Sequence, residues 1–207
     1  MFIALHKSQR HHKPVTITSI TQLQVDPPMS ATAGLMQEHQ LILKYIDLME
    51  RCAKLNLQKP DIQILFDQTV FFIDFIHEFA DKFHHAKEEN ILFRYLGTPG
   101  VLTHCNPIPQ MMNEHQQARG FVRNMEKALR SKNLHDLVES AQNYAGLLKM
   151  HIYKEDNILY PMAERGLSDD LKASISREYA ETEAEFDSPA IWEKYDALRI
   201  KLENDLT

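Results

Sequence analysis

The chain has 207 residues, of which 43% are hydrophobic, and a formal net charge of −6. The length suffices for one domain with a substantial core, and the hydrophobic fraction is typical of a globular chain rather than a disordered one. The negative charge gives no reason to expect a nucleic-acid partner, and no stretch is apolar and long enough to span a bilayer, so no membrane partner is expected either.

The chain is predicted to be all-α. Residues 1–28 are polar and β-branched without sustained periodicity, which indicates an N-terminal tail or extension. Residues 29–166 carry apolar side chains at helical spacing, interrupted by Gly and Pro. Four helices are therefore predicted, at about 30–57, 61–96, 108–129 and 141–166. This pattern favours an antiparallel four-helix bundle.

Two further helices are predicted within residues 167–207. The segment Ser168-Asp169-Asp170 is suited to cap the first of them, and Ser188-Pro189 is suited to begin the second. We expect these C-terminal helices to pack on the bundle or to form a subunit contact, so a homo-oligomer is possible.

A short pattern occurs twice in the chain. The segment HHAKEENILF at 84–93 returns as HIYKEDNILY at 151–160, and MQEHQ at 36–40 returns as MNEHQ at 112–116. Each copy therefore supplies one histidine followed by one His-x-x-x-Glu pair. The six residues of this pattern are His39, His84, Glu88, His115, His151 and Glu155.

All six residues fall on the predicted core-facing sides of the helices. Each buried charge without a partner costs several kcal/mol, against a domain stability of about 5–15 kcal/mol. Residues four apart lie on one helix face, so the histidine and the glutamate of each pair can reach one centre. We therefore predict that these six residues bind two metal ions. A metal-free network of protonated histidines and glutamates is the alternative.

A neighbouring pair of polar residues competes for the same role. His85 and Glu89 are also four apart, but the second copy has Ile152 and Asp156 at the equivalent positions. The repeat therefore favours the pair one residue earlier as ligands, with His85 and Glu89 flanking the site or facing solvent. Asp81 either orients a ligand imidazole or is a carboxylate on the helix surface.

With these motifs the chain resembles the hemerythrin-like family, also called the HHE cation-binding domain, over about residues 30–165. The resemblance rests on four motifs, which are Glu38-His39, 84–93, Glu114-His115 and 151–161. It implies a bundle that holds a non-haem di-iron centre with an oxo or hydroxo bridge, in which Glu88 and Glu155 bridge the irons. Zinc or manganese also suits these donors.

The chain differs from oxygen-carrying members of that family at one position. Those members have a further histidine where this chain has Arg119. Four nitrogens and two bridging carboxylates fill eight of the twelve positions around two six-coordinate irons, and an oxide bridge fills two more. The two positions left open favour small-ligand binding or chemistry over reversible oxygen carriage. Arg119 either adds positive charge near the pocket or lies at the edge of the helix surface.

The favoured function is a di-iron protein that binds dioxygen, nitric oxide or peroxide, for sensing or for protection against oxidative or nitrosative stress. One alternative is a peroxidase or catalase-like enzyme, and whether the chain is an enzyme stays open. Another is an iron donor in iron–sulfur cluster repair. Repair proteins of that type usually carry an N-terminal cysteine-bearing segment, whereas residues 1–51 contain no cysteine.

The cysteines bear on the expected location. Cys52 and Cys105 are the two cysteines of the chain and form no Cys-x-x-Cys motif. A disulfide framework is therefore not expected. The N-terminus also lacks the apolar run of a secretory signal. These features predict a cytoplasmic protein.

Overall fold

The computed structural model describes residues 30–59 and 63–206, so the predicted tail at 1–28 lies outside the described residues. The described part of the chain forms six helical runs and no strand, which confirms the all-helical prediction. Among the same residues, no helix combines the length and the hydrophobicity needed to cross a membrane.

The six runs are labelled α1 to α6. Helix α1 is Ala33–Gln58, and α2 is the run 64–96. Helix α3 is Ile108–Ser131, and α4 is the run 134–166. Helices α5 and α6 are Asp169–Glu185 and Ser188–Asp205. The predicted cap of α5 is confirmed, because the backbone N–H of Leu171 donates to the Ser168 hydroxyl at 3.3 Å.

Helices α2 and α4 contain π-helical segments that the sequence did not predict. Helix α2 consists of Ile64–Phe75, the π segment Ile76–His85, residues 86–87, the π segment Glu88–Leu92 and Phe93–Leu96. Helix α4 consists of Leu134–Lys154, the π segment Glu155–Leu159 and Tyr160–Gly166. The two five-residue π segments occupy equivalent positions of the repeat, and each begins at the motif glutamate. π-Helical turns inside α-helices are frequent at functional sites.

The four long helices pack around a common core. Helix α1 contacts α2 and α4, and α3 contacts the same two helices. The core is rich in aromatic residues, and Phe72, Phe75, Phe79 and Phe83 are each no more than 1% exposed. Burial of one such side chain contributes about 1.5–3 kcal/mol, so this row from α2 supplies a large part of the stabilisation.

The C-terminal helices cover two parts of this core. Tyr195 of α6 is fully buried against Phe75, and its carbonyl oxygen accepts a hydrogen bond from the Tyr45 hydroxyl at 2.7 Å. Helix α5 contacts α2, and the Tyr95 hydroxyl donates to Glu178 at 2.6 Å. Both helices thus pack on the long helices of the same chain.

The N-terminus of α1 is held by the end of α4. The Glu164 carboxylate accepts hydrogen bonds from the Ser30 hydroxyl at 2.8 Å, the Thr32 backbone N–H at 3.0 Å and the Thr32 hydroxyl at 2.9 Å. Glu164 therefore acts as a cap supplied from another helix, and it fixes where α1 begins relative to α4.

Candidate metal centre

The structure brings all six predicted residues into one buried cluster, and each of them is no more than 1% exposed. They form two groups that share Glu88. The first group is His39, His84, Glu88 and Glu155, and the second is His85, Glu88, His115 and His151. Within each group, one potential ligand atom per residue lies within 4.8 Å of the others. The second group includes His85, for which the repeat predicted a position flanking the ligands or facing solvent.

The four predicted histidines share one orientation, in which Nδ1 contacts a carboxylate. The contacts are His39 to Asp156 at 2.7 Å, His84 to Glu38 at 2.8 Å, His115 to Glu89 at 2.7 Å and His151 to Glu114 at 2.9 Å. A carboxylate only accepts, so Nδ1 carries the proton in each case. The Nε2 lone pair is then available to a cation, as in metal sites whose histidines are held by carboxylates.

The carboxylate partners come from other helices and repeat the internal symmetry. Glu38 of α1 holds an imidazole of α2, and Glu114 of α3 holds an imidazole of α4. Lys87 donates to Glu38, and Lys154 donates to Glu114. Burial raises the pKa of Glu38 to about 7 even though the Lys87 charge lowers it. The repeated Glu-His and Lys-Glu dipeptides were the sequence signal for these partners.

The centre contains buried lone pairs that need a positive charge between them. Nε2 of His115 lies 2.9 Å from Nε2 of His151. Glu88 Oε2 and both carboxylate oxygens of Glu155 are buried without a hydrogen-bond partner among the described residues. A network of protonated histidines would satisfy these oxygens with hydrogen bonds, whereas metal ions would satisfy them by coordination. Nε2 atoms 2.9 Å apart cannot both carry a proton, so the donor set fits cations better than a fully protonated network.

The protonation states agree with a site built around positive charge. Burial alone would lower the pKa of His39, but the carboxylates of Asp156 and Glu155 raise it to about 9. Burial, together with the nearby Glu155 charge, raises the pKa of Glu88 well above its usual range. A metal ion that binds here displaces such protons, because ligands bind it in their deprotonated form.

Two positions break the symmetry of the centre. His85 has Ile152 as its counterpart, and Tyr160 has Phe93. Tyr160 stacks on His39 with ring centroids 5.5 Å apart, as Phe93 stacks on His115 at 6.0 Å. The Tyr160 hydroxyl donates to Glu88 Oε1 at 2.6 Å, a bond that Phe93 cannot make on the other side.

Arg119 is half-buried beside the second group of ligands. Its guanidinium donates to Asp81 at 2.8 Å and to Glu89 at 2.9 Å. Asp81 in turn accepts from Nδ1 of His85 at 3.2 Å. A cavity of about 250 Å³ adjoins this cluster and is lined by His85, Arg119 and Tyr144 among others. Arg119 therefore holds two carboxylates that orient imidazoles.

Comparison with known families agrees with this geometry. Residues 30–163, more than half of the chain, match the family described as the hemerythrin HHE cation binding domain. The chain belongs to this family. All six predicted residues of the hemerythrin HHE domain lie inside the matched range, and the membership identifies a metal-binding protein. Neither the comparison with curated proteins nor the comparison with solved structures returns a significant match.

Proposed function

We propose that this hemerythrin HHE protein holds two iron ions inside an antiparallel bundle of α1 to α4 and binds a small ligand there. His39 and His84 would hold one ion, His115 and His151 would hold the other, and the motif glutamates would bridge them. Bound iron supplies a site for dioxygen, nitric oxide or peroxide. The proposed role is sensing, or protection against oxidative or nitrosative stress.

The observation that carries this proposal is the shared orientation of the imidazoles. Each has its Nδ1 committed to a carboxylate from another helix. Three inner carboxylate oxygens, Glu88 Oε2 and both oxygens of Glu155, accept no hydrogen bond from the described residues, although Nε2 of His39 and Nε2 of His151 lie 3.3 and 3.2 Å from Glu155. Such an arrangement is costly unless cations occupy the centre, because unpaired buried acceptors cost about 1–3 kcal/mol each.

The donor types favour iron within this family. Imidazole and carboxylate together suit iron, and also zinc or manganese. The inner donors include two carboxylates, Glu88 and Glu155, whereas ferritin-like sites use a glutamate from each of four helices. This composition argues against ferritin-type iron storage. A cytoplasmic location is proposed because both cysteines, Cys52 and Cys105, are unpaired.

A peroxide-consuming enzyme is the second candidate, and Tyr160 is the residue that favours it. Its hydroxyl lies 3.4 Å from His39 Nε2 and donates to Glu88, so it lies beside the first ligand group. Burial raises its pKa well above the usual range, so it stays protonated at neutral pH. This hydroxyl has a single proton, so it would hydrogen-bond to a bound ligand by donating to it in place of Glu88.

The test begins with protein purified without oxygen and analysed for metals and optical absorption. The proposal predicts two irons per chain, and Glu88→Ala is expected to lose them. Exposure to dioxygen, nitric oxide and peroxide then separates the functions. A coloured form that bleaches under vacuum indicates reversible binding, whereas rapid peroxide loss that depends on Glu88 indicates the enzyme. Protein that takes up no iron, or keeps it in Glu88→Ala, contradicts the proposal.

A further inference from the structure

His85 shares the features of the four predicted ligand histidines. It is 4% exposed, and its Nδ1 contacts the Asp81 carboxylate at 3.2 Å. The other ring nitrogen, Nε2, is therefore the one available to a cation. A ring nitrogen of His85 lies within 4.8 Å of ligand atoms of Glu88, His115 and His151.

The backbone explains why two adjacent histidines both reach the interior. Successive residues of an α-helix differ in direction by about 100°, so His84 and His85 would not both face one centre. They end the ten-residue π segment Ile76–His85, in which the wider turn makes this angular step smaller. The equivalent part of α4 is a regular α-helix within Leu134–Lys154, and it carries Ile152 instead.

Further contacts hold His85 in place. Its ring stacks on that of His115 with centroids 3.9 Å apart and an interplanar angle of 17°. Arg119 donates to both Asp81 and Glu89, which are the carboxylates that hold these two imidazoles. His85 and His115 are thus oriented as a pair by one guanidinium on α3.

We propose that His85 is a fifth nitrogen ligand, bound to the ion held by His115 and His151. This inference rests on the proposed di-iron function and changes the count of coordination positions. Five nitrogens and two bridging carboxylates fill nine positions, and a bridging oxide fills two more. One position stays open, on the ion held by His39 and His84 and next to the Tyr160 hydroxyl. The two ions are therefore inequivalent.

The test compares the iron-loaded wild-type protein with His85→Ile, which copies the residue of the second repeat. Azide is the probe for open positions. Wild type is expected to bind one azide per two irons and to give two distinct doublets in the ⁵⁷Fe Mössbauer spectrum. His85→Ile is expected to bind the second iron at least tenfold more weakly, or to bind two azides per two irons. His77→Ile is the matched control, because His77 pairs with Glu126 at 2.9 Å, and it should behave as wild type.

A ligand role is distinguished from a packing role by chemical rescue. His85→Gly opens the adjoining cavity of about 250 Å³ further, so added imidazole can enter and restore the second iron. Equal iron affinity and equal azide stoichiometry in wild type and His85→Ile would overturn the inference while leaving the di-iron proposal intact. Should the variants fail to fold, one doublet from equivalent irons in wild type would overturn it as well. Wild type with fewer than two irons would contradict the proposed function itself.

Discussion

Removal of the Tyr160 hydroxyl tests how the inner carboxylates are satisfied. The Tyr160 side chain is 1% exposed, and its hydroxyl donates to Glu88 Oε1 at 2.6 Å. In Tyr160→Phe this oxygen becomes a second unpaired buried oxygen of Glu88, which costs about 1–3 kcal/mol. For a chain of this size the corresponding fall in Tm is roughly 2–12 °C. Phe fits the space sterically, because Phe93 occupies the equivalent place.

The assay is thermal unfolding of the metal-free protein, followed by circular dichroism. Tyr179→Phe is the matched control, because the Tyr179 hydroxyl is buried without a hydrogen-bond partner among the described residues, and its removal should be near neutral. Iron stoichiometry should remain at two in Tyr160→Phe, since the ligands are unchanged. If Tyr160→Phe is no less stable than Tyr179→Phe, the hydrogen bond to Glu88 does not stabilise the fold as described.

Three other substitutions have defined outcomes. By metal analysis, His84→Ala should lower the bound iron below two per chain. His104→Ala, at an exposed position outside these ligand groups, should not. Glu114→Gln should weaken iron binding about 10–100-fold in a chelator competition, because the amide orients His151 less well; unchanged affinity would contradict that role. Burial alone would raise the pKa of Glu164, but hydrogen bonds from neighbouring donors lower it below its usual value. The ionised Glu164 carboxylate therefore stabilises the fold above about pH 4.5, and this stabilisation is lost as the pH falls further. Glu164→Gln should therefore lose less stability than wild type between pH 7 and pH 3.5 in urea titrations, and an equal loss would refute this.

The internal repeat carried most of what the sequence predicted about the site. Helical spacing placed the histidines on the core-facing sides of the helices. Comparison of the two copies favoured His84 as a ligand, because its counterpart is His151. The same comparison placed His85 outside the ligand set, because Ile152 stands at the equivalent position. The π segment Ile76–His85 exists in one copy alone among the described residues, and periodicity does not reveal it. The copy that contains this π segment is also the copy that has His85, where the other copy has Ile152.

Side-chain contacts between helices could not be predicted from the sequence. The cap at Ser168 was predictable because it depends on residues close in the chain. Glu38 contacts His84 because of the position of α1 along α2. No sequence pattern within either helix predicts that relative position. The sequence left Arg119 either near the pocket or at the edge of the helix surface, and its two carboxylate partners are visible only in the fold.

The most direct test of the central claim is a crystal structure of iron-loaded protein with an anomalous difference map recorded at the iron edge. The account predicts two peaks about 3.5–4 Å apart, as in other two-metal sites. They should lie between Glu88 and Glu155, with Nε2 of His39 and His84 facing one peak and Nε2 of His115 and His151 facing the other. A single peak, or iron bound anywhere outside these residues, would contradict it.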